Sequence, residues 1–330
     1  MSQTVRWGIV STGNIARRFA QAVQLSEVAE LLAVGSREKH KAEQFGRQFG
    51  IPNCYGSYAD LFGDSDVDVI YVATPHTFHK QNAIDALNAG KAVLCEKPLT
   101  VNASEARELI ETAKKDKLFL MEAMWMRFLP SIVKLRELLA RRVIGQPRVL
   151  TAELGFRCEW KPDSRVLNPE LAGGALLDLG VYVISLASMV FGQPSHIKGL
   201  AHIGSTGVDE QAGIVLSYDQ GQLAQLTCAI RTGLPNEALI LGTEGSIKLH
   251  RTWWAGGRIT LSRTDKEDEI IDLPREENGF VYELREVAQC LRAGRTESSI
   301  MPLDESRSIM ETMDELRRQW KFIYPFEHPR

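Results

Sequence analysis

Over the first third of the chain, short unbroken apolar runs alternate with stretches in which apolar residues recur every three or four positions. The runs at 5–10, 31–34, 67–73, 92–95 and 118–121 have the length and continuity of strands buried on both faces. Between them, Ile15, Phe19 and Val23, then Ala42, Phe45 and Phe49, then Ala83, Ile84 and Leu87, then Ala106, Leu109, Ile110 and Ala113 lie at helical spacing. Gly90 is placed to end the third of these helices, and Asn102 with Glu105 forms a capping-box pair at the start of the fourth. Strict alternation of strand and helix predicts a doubly wound parallel sheet.

After Pro130 and one more helical pattern, near 131–142, the period changes from about 3.6 to 2. Leu150, Ala152, Leu154 and Phe156 alternate with polar or small residues, and so do Ala224, Leu226, Cys228 and Ile230. Similar short runs occur near 214–218, 238–241, 247–249 and 259–261, so a large, mostly antiparallel sheet with one buried face is expected. Helical patterns near 174–191 and 280–291, and a last one carrying Ile309, Met313, Leu316 and Trp320, make this part α+β. The predicted division is residues 1–124 and residues 125–330, with the last helix able to pack back on the first domain.

The chain has 330 residues, enough for two substantial cores, and Lys plus Arg (39) nearly balance Asp plus Glu (42). That balance argues against nucleic acid or an anionic membrane as a partner. The start lacks the charged-then-apolar pattern of a signal segment, and the apolar stretch 181–191 is too short to cross a bilayer, so a soluble, cytoplasmic protein is expected. The five cysteines are scattered, which suits buried thiols in a reducing compartment.

The first strand runs into Gly8-Ile9-Val10-Ser11-Thr12-Gly13-Asn14-Ile15-Ala16. A Rossmann fingerprint asks for G-x-G-x-x-G/A at this position, where backbone N–H groups and a helix dipole meet a pyrophosphate. Gly13 and Ala16 fill the second and third places, while Ser11 stands where the first glycine belongs. Ser11, Thr12, Gly13, Asn14 and Ile15 are therefore the candidate phosphate-binding turn. At the end of the second strand, Ser36 and Arg37 offer a hydroxyl and a guanidinium to a 2′-phosphate, which favours NADP over NAD, with Glu38 one residue late for a ribose carboxylate. Thr74, Pro75, His76 and His79 end another strand and open a helix, where they can attend the same cofactor. No Cys or carboxylate cluster joins the two histidines, so no metal site is expected.

The apolar run 92–95 ends abruptly in Glu96-Lys97-Pro98, which carries an ammonium to the carboxyl edge of the sheet. A candidate partner for Lys97 lies in Gly173-Gly174-Ala175-Leu176-Leu177-Asp178-Leu179-Gly180-Val181-Tyr182. Asp178 and Tyr182, four apart, share one face of an apolar helix. A phenol is ineffective as a base near neutrality unless a cation lowers its pKa, and Lys97 is suited to that. The bland alternative is a buried Tyr beside a structural Asp.

The constellation of Cys95-Glu96-Lys97-Pro98, the turn from Gly8 to Ala16, Thr74-Pro75 followed by His79, Glu122-Ala123-Met124-Trp125-Met126-Arg127-Phe128, and the Gly173 to Tyr182 segment resembles the glucose-fructose oxidoreductase/inositol dehydrogenase (Gfo/Idh/MocA) family over nearly the whole chain. Tyr182, where many members have His, and Ser11 resemble a subgroup that oxidises trans-dihydrodiols and D-xylose with NADP. The resemblance implies Lys97 and Tyr182 as the acid/base pair with Asp178 orienting them, Glu96 beside the cofactor, and Trp125 and Phe156 in the substrate pocket. It also implies a homodimer formed through the open face of the second-domain sheet. Rival readings are an oxidoreductase that never releases its NADP and a non-catalytic dinucleotide-binding regulator. Retention of both Lys97 and Tyr182 disfavours the regulator, which has no need of a proton acceptor. Trp253 and Trp254 are left unassigned between core, interface and pocket wall.

Overall fold

The computed structural model describes residues 4–327. The chain divides into two compact units, residues 1–128 with 276–307 and residues 129–275 with 308–330. The first unit begins with β1 (Val5–Val10), α1 (Asn14–Gln24), β2 (Ala29–Gly35), α2 (Lys39–Phe49), β3 (Asn53–Tyr55), α3 (Tyr58–Phe62), β4 (Val69–Val72), α4 (His79–Asn88), β5 (Ala92–Glu96), α5 (Ala103–Asp116) and β6 (Leu120–Ala123). The strands form one parallel sheet in the order β3-β2-β1-β4-β5-β6, so the doubly wound fold is borne out. Every residue of β4 and β5 is buried, as their unbroken apolar sequences require. Asn102 caps α5 as expected, its side chain accepting the Glu105 N–H at 2.9 Å. The order reverses between β1 and β4, so ligand chemistry in such a sheet gathers at the carboxyl ends of β1, β2, β4 and β5.

The second unit contains α6 (Pro130–Ala140), β7 (Pro147–Gly155), α7 (Val181–Phe191), β8 (His196–Ile203), β9 (Asp209–Ser217), β10 (Leu223–Ala229), β11 (Ala238–Gly242), β12 (Gly245–Leu249), β13 (Gly257–Arg263) and β14 (Glu269–Leu273). These eight strands form one sheet in the order β14-β13-β12-β11-β7-β10-β9-β8, antiparallel except for the β7–β10 pair. Residues 224, 226 and 228 are buried while 223, 225 and 227 are exposed, the period-2 pattern of a half-covered sheet. The helix α7 packs across β7 and β10 and covers the buried face.

The chain ends with α8 (Val281–Arg292) and α9 (Leu303–Trp320). Residues 276–307 belong to the first compact unit, which differs from the single division at residue 124. Buried Val281, Leu284, Val287 and Ala288 form the inner stripe of α8, which packs on α1 and on the turn Trp125–Phe128. An amphipathic stripe says that a helix is covered and not by which core. The run Pro169–Phe191 is also longer than the apolar stretch read from the sequence and is long and apolar enough to cross a membrane. It is a core helix here, since 78% of its most apolar part is buried within the fold.

Candidate active site

At the end of β1, Ser11 takes φ +101°, the left-handed backbone that the fingerprint reserves for glycine. Its hydroxyl accepts the Gly13 N–H at 3.3 Å, a local bond that helps a non-glycine residue hold this turn. Gly13 precedes α1, and no side chain caps the N–H groups that follow. A Cβ added at Gly13 would meet only the Ser11 Oγ, at an ordinary 3.6 Å, and φ is −74°. The protein's own packing therefore does not demand glycine here, and the turn leaves free backbone space in front of a helix N-terminus. That is the arrangement a pyrophosphate needs. The residues Ser11 to Ile15 fit a dinucleotide.

At the end of β2, Ser36 is buried and its hydroxyl accepts the Glu38 N–H at 3.3 Å. Arg37 is exposed, with its guanidinium carbon 6.0 Å from the centre of the Phe78 ring. Phe78, 43% exposed, lacks any sequence signal that would single it out. The Glu38 carboxylate is engaged by Lys41 and lies 3.7 Å from His40, and the Lys41 bond holds it below the usual carboxylate range. The acid that could blur a preference for NADP is thus tied to its own helix.

The ends of β4 and β5 are joined by buried side chains. Thr74 accepts from the Asn82 amide at 3.1 Å. Pro75 leads into a short turn, His76–Phe78, whose His76 is buried with its ring 5.6 Å from that of His79. His79 is fully buried, with Nδ1 2.8 Å from the Pro98 carbonyl and Nε2 2.9 Å from the Thr74 carbonyl. The ring expected beside the cofactor thus bridges two strand ends through backbone acceptors. Glu96 is likewise turned inward. One of its oxygens accepts from the Tyr71 hydroxyl and the other from the Lys97 N–H at 3.2 Å. Beyond the cis Lys97–Pro98 bond, the Leu99 N–H donates to Glu122 at 3.0 Å and the Cys95 thiol lies 3.6 Å from the Leu99 carbonyl. Lys97 itself is half-buried on this anchored loop. Burial pushes Glu122 above the usual range and Glu283 of α8 well above it, the latter with Glu96 as a like-charged neighbour. Trp125 lies in the turn Trp125–Phe128, stacked on Phe280 with ring centres 5.4 Å apart.

In the second unit, residues Leu176–Gly180 form a π-helical turn that runs into α7, a wide turn often found at functional sites. Asp178 and Tyr182 are both buried on this element, as expected. One partner of Asp178 has no counterpart in the sequence pattern: Arg165 places Nη2 3.0 and 3.2 Å from its two carboxylate oxygens. The glycine pair before the turn has a steric cause. A Cβ at Gly173 would lie 2.6 and 2.7 Å from the carbonyl oxygens of Val166 and Arg165, and one at Gly174 (φ +122°) would lie 2.1 Å from the Asp209 carboxylate. Asp209, fully buried on β9, accepts the Leu176 N–H at 2.6 Å. Burial outweighs this bond and the nearby Arg317, pushing the Asp209 carboxyl up to about 7. Phe156, just after β7, is 40% exposed. Trp253 is a core residue whose indole N–H donates to the Glu153 carbonyl at 2.9 Å. Among the described residues, no group of three or more His, Cys, Asp or Glu side chains could hold a metal ion.

A parallel sheet with an open dinucleotide turn, together with a second unit carrying an Asp–Tyr helix, defines a class. Residues 5–124 match the oxidoreductase family with an NAD-binding Rossmann fold, and residues 132–248 match the GFO/IDH/MocA C-terminal domain. The chain belongs to the GFO/IDH/MocA family and is an NAD(P)-dependent oxidoreductase. It is 40% identical over 330 residues to trans-1,2-dihydrobenzene-1,2-diol dehydrogenase of Mus musculus, covering 97% of this chain and 98% of that protein. The Homo sapiens enzyme of the same name is 38% identical with the same coverage. Among solved structures, a 3-ketoreductase from Actinomadura kijaniata, in complex with NADP and TDP-benzene, is 28% identical with a TM-score of 0.82, covering 96% of this chain and 98% of that one. The aldose-aldose oxidoreductase from Caulobacter crescentus shares the fold at a TM-score of 0.89 and 23% identity, over 97% of this chain and 98% of that one.

Proposed function

We propose that this protein is an NADP-dependent dehydrogenase that oxidises a carbinol carbon of a trans-dihydrodiol, or the hemiacetal carbon of a cyclic sugar such as D-xylose. The observation that carries the reading is the presence of both Lys97 and Tyr182 in a chain 40% identical to a dihydrodiol dehydrogenase. When bound, the nicotinamide supplies the hydride acceptor. The turn from Ser11 to Ile15 holds the pyrophosphate, and Ser36 and Arg37 hold the 2′-phosphate, with Glu38 occupied by Lys41. Thr74, Pro75 and His76 complete the cofactor's surroundings, while His79 and Glu96 support the loop that carries Lys97. Tyr182 takes the hydroxyl proton of the substrate, Lys97 favours the phenolate, and Asp178 orients them. Trp125 and Phe156 offer flat apolar faces suited to a ring.

A homodimer through the open sheet face belongs to the same proposal. Val215 and Leu223 are exposed on neighbouring strands. A trough of about 380 Å³ on this sheet, lined by Thr151, Gln225, Thr227, Leu239 and Lys248 among others, lies where a two-fold interface would place a second copy. A change of Val215 and Leu223 to Glu should yield a monomer in sedimentation experiments, and an unchanged mass would remove this face from consideration.

The test of activity is a panel of dihydrodiols and aldoses with NADP and with NAD, followed by reduced-nicotinamide absorbance. NADP is expected to be preferred, and Lys97→Met is expected to lose kcat by a factor of roughly 10² or more. Silence across the panel would end the dehydrogenase reading. NADP co-purifying with the protein would move it toward an oxidoreductase that retains its cofactor between turnovers.

A further inference from the structure

Arg165 lies in the irregular segment between β7 and the turn Pro169–Leu171, where sequence patterning offers no reason to notice it. Its placement is nevertheless built in. Gly173 lacks a Cβ at a point where one would collide with the carbonyls of Arg165 and Val166, and the Gly174 N–H donates to Val166 at 2.9 Å. Leu167, fully buried, anchors the segment from the other side. The segment is therefore pressed onto the start of the Asp178 turn by a glycine that permits close approach. One Arg165 nitrogen spans both oxygens of Asp178, whose side chain is 8% exposed against 40% for Arg165.

The pairing matters because of what stands four residues on. An unpaired buried carboxylate so near in the chain to buried Tyr182 would oppose formation of a phenolate, since like charges repel strongly where water is scarce. A guanidinium on that carboxylate removes the opposition while leaving it able to accept a hydrogen bond. Other groups around this helix start have their own partners. Asp209 of β9 receives the Leu176 N–H, and the Tyr324 hydroxyl donates to the Gly173 carbonyl at 2.7 Å. Arg317 is bound to Glu327 and Asp314, and Cys228 of β10 lies against Gly180. We propose that Arg165 is a positioning residue: by pairing with Asp178 it offsets the charge of a buried carboxylate four residues from Tyr182 and fixes the turn that leads into the helix bearing that phenol.

This rests on Tyr182 serving as the proton acceptor, so the test reads the phenol directly as well as turnover. With tyrosine labelled at the ring carbon bearing oxygen, Tyr182 is assigned by loss of its signal in Tyr182→Phe, and its titration is followed by NMR in the NADP-loaded full chain. Arg165→Met is expected to move the titration upward by roughly one pH unit or more, and Arg165→Lys to restore most of the shift. Adding Asp178→Asn to Arg165→Met is expected to bring it back to the value of Asp178→Asn alone. The rising limb of kcat/KM against pH should follow the same order. Arg165→Gln takes the place of Met if the latter fails to fold. Equal titrations in wild type and Arg165→Met, simple additivity with Asp178→Asn, or a wild-type phenol that stays protonated to the alkaline limit of folding would each overturn the proposal. If the titration moves as expected while no substrate is turned over, the pairing stands and the dehydrogenase reading falls.

Discussion

Two helix starts in this chain follow glycine-containing turns, and they differ in what meets their N–H groups. At α1, Gly13 is exposed, no side chain caps the first turn, and a Cβ in place of its hydrogen would meet nothing closer than 3.6 Å. At the turn Leu176–Gly180, Gly174 is buried at φ +122°, and Asp209 from a strand 33 residues away fills the corresponding place. A helix N-terminus carries partial positive charge and unpaired donors in either setting. In the second unit the fold meets them with its own carboxylate, whereas in the first no side chain caps the turn. The same residue type thus serves close packing in one place and access in the other.

The sharpest test of this contrast is one substitution made twice. Gly174→Ala forces a Cβ within 2.1 Å of a buried carboxylate at a positive φ, and unfolding in denaturant should show a loss of roughly 3 kcal/mol or more. Gly13→Ala should leave unfolding within about 0.5 kcal/mol of wild type, while NADP affinity, read by quenching of tryptophan fluorescence, falls by about tenfold or more, on the order of 1.4 kcal/mol. If Gly13→Ala bound NADP as well as wild type, the open turn would lose its reading as a phosphate site.

The smallest effect concerns pH. Asp209 has its folded pKa raised to about 7 by burial, against about 4 for an unfolded carboxyl. A raised pKa means that its contribution to stability is fully present below about pH 4 and is lost as pH rises through about 7. Asp209→Asn keeps an acceptor for the Leu176 N–H but cannot ionise. The stability of wild type relative to this variant should therefore decline between about pH 4 and pH 7 and level off above. A flat difference would mean that the buried carboxylate is better compensated than its surroundings suggest.

Much of the fold is legible from one-dimensional patterning because the strands of the first unit are buried on both faces, and few structures besides a covered parallel strand accommodate such short unbroken apolar runs. The elements that patterning passes over share a cause. β3 and α3 are short, with half-exposed residues in β3, and β8 and β14 lie at the two edges of their sheet, where β8 has no fully buried position to mark a period. Lys97, Asp178 and Tyr182 stand out because charged or phenolic groups interrupt apolar runs. Arg165, Asp209 and Phe78 do not, since each matters through a neighbour distant in sequence. His79 and Glu96 are conspicuous by position, but their contacts to neighbouring strand ends and to the Lys97 loop are not. Their polar atoms are engaged by the backbone and by Tyr71, so they hold the Lys97 loop.

The sequence alone determined the succession of the longer strands and helices and singled out a candidate dinucleotide turn and candidate reactive side chains, because periodicity and local chemistry are written in consecutive residues. Only the tertiary structure decided that residues 276–307 return to the first unit and that Arg165 and Asp209 attend the turn bearing Asp178. Those are pairings fixed by which surfaces and side chains meet when the chain closes on itself, and no local pattern encodes them.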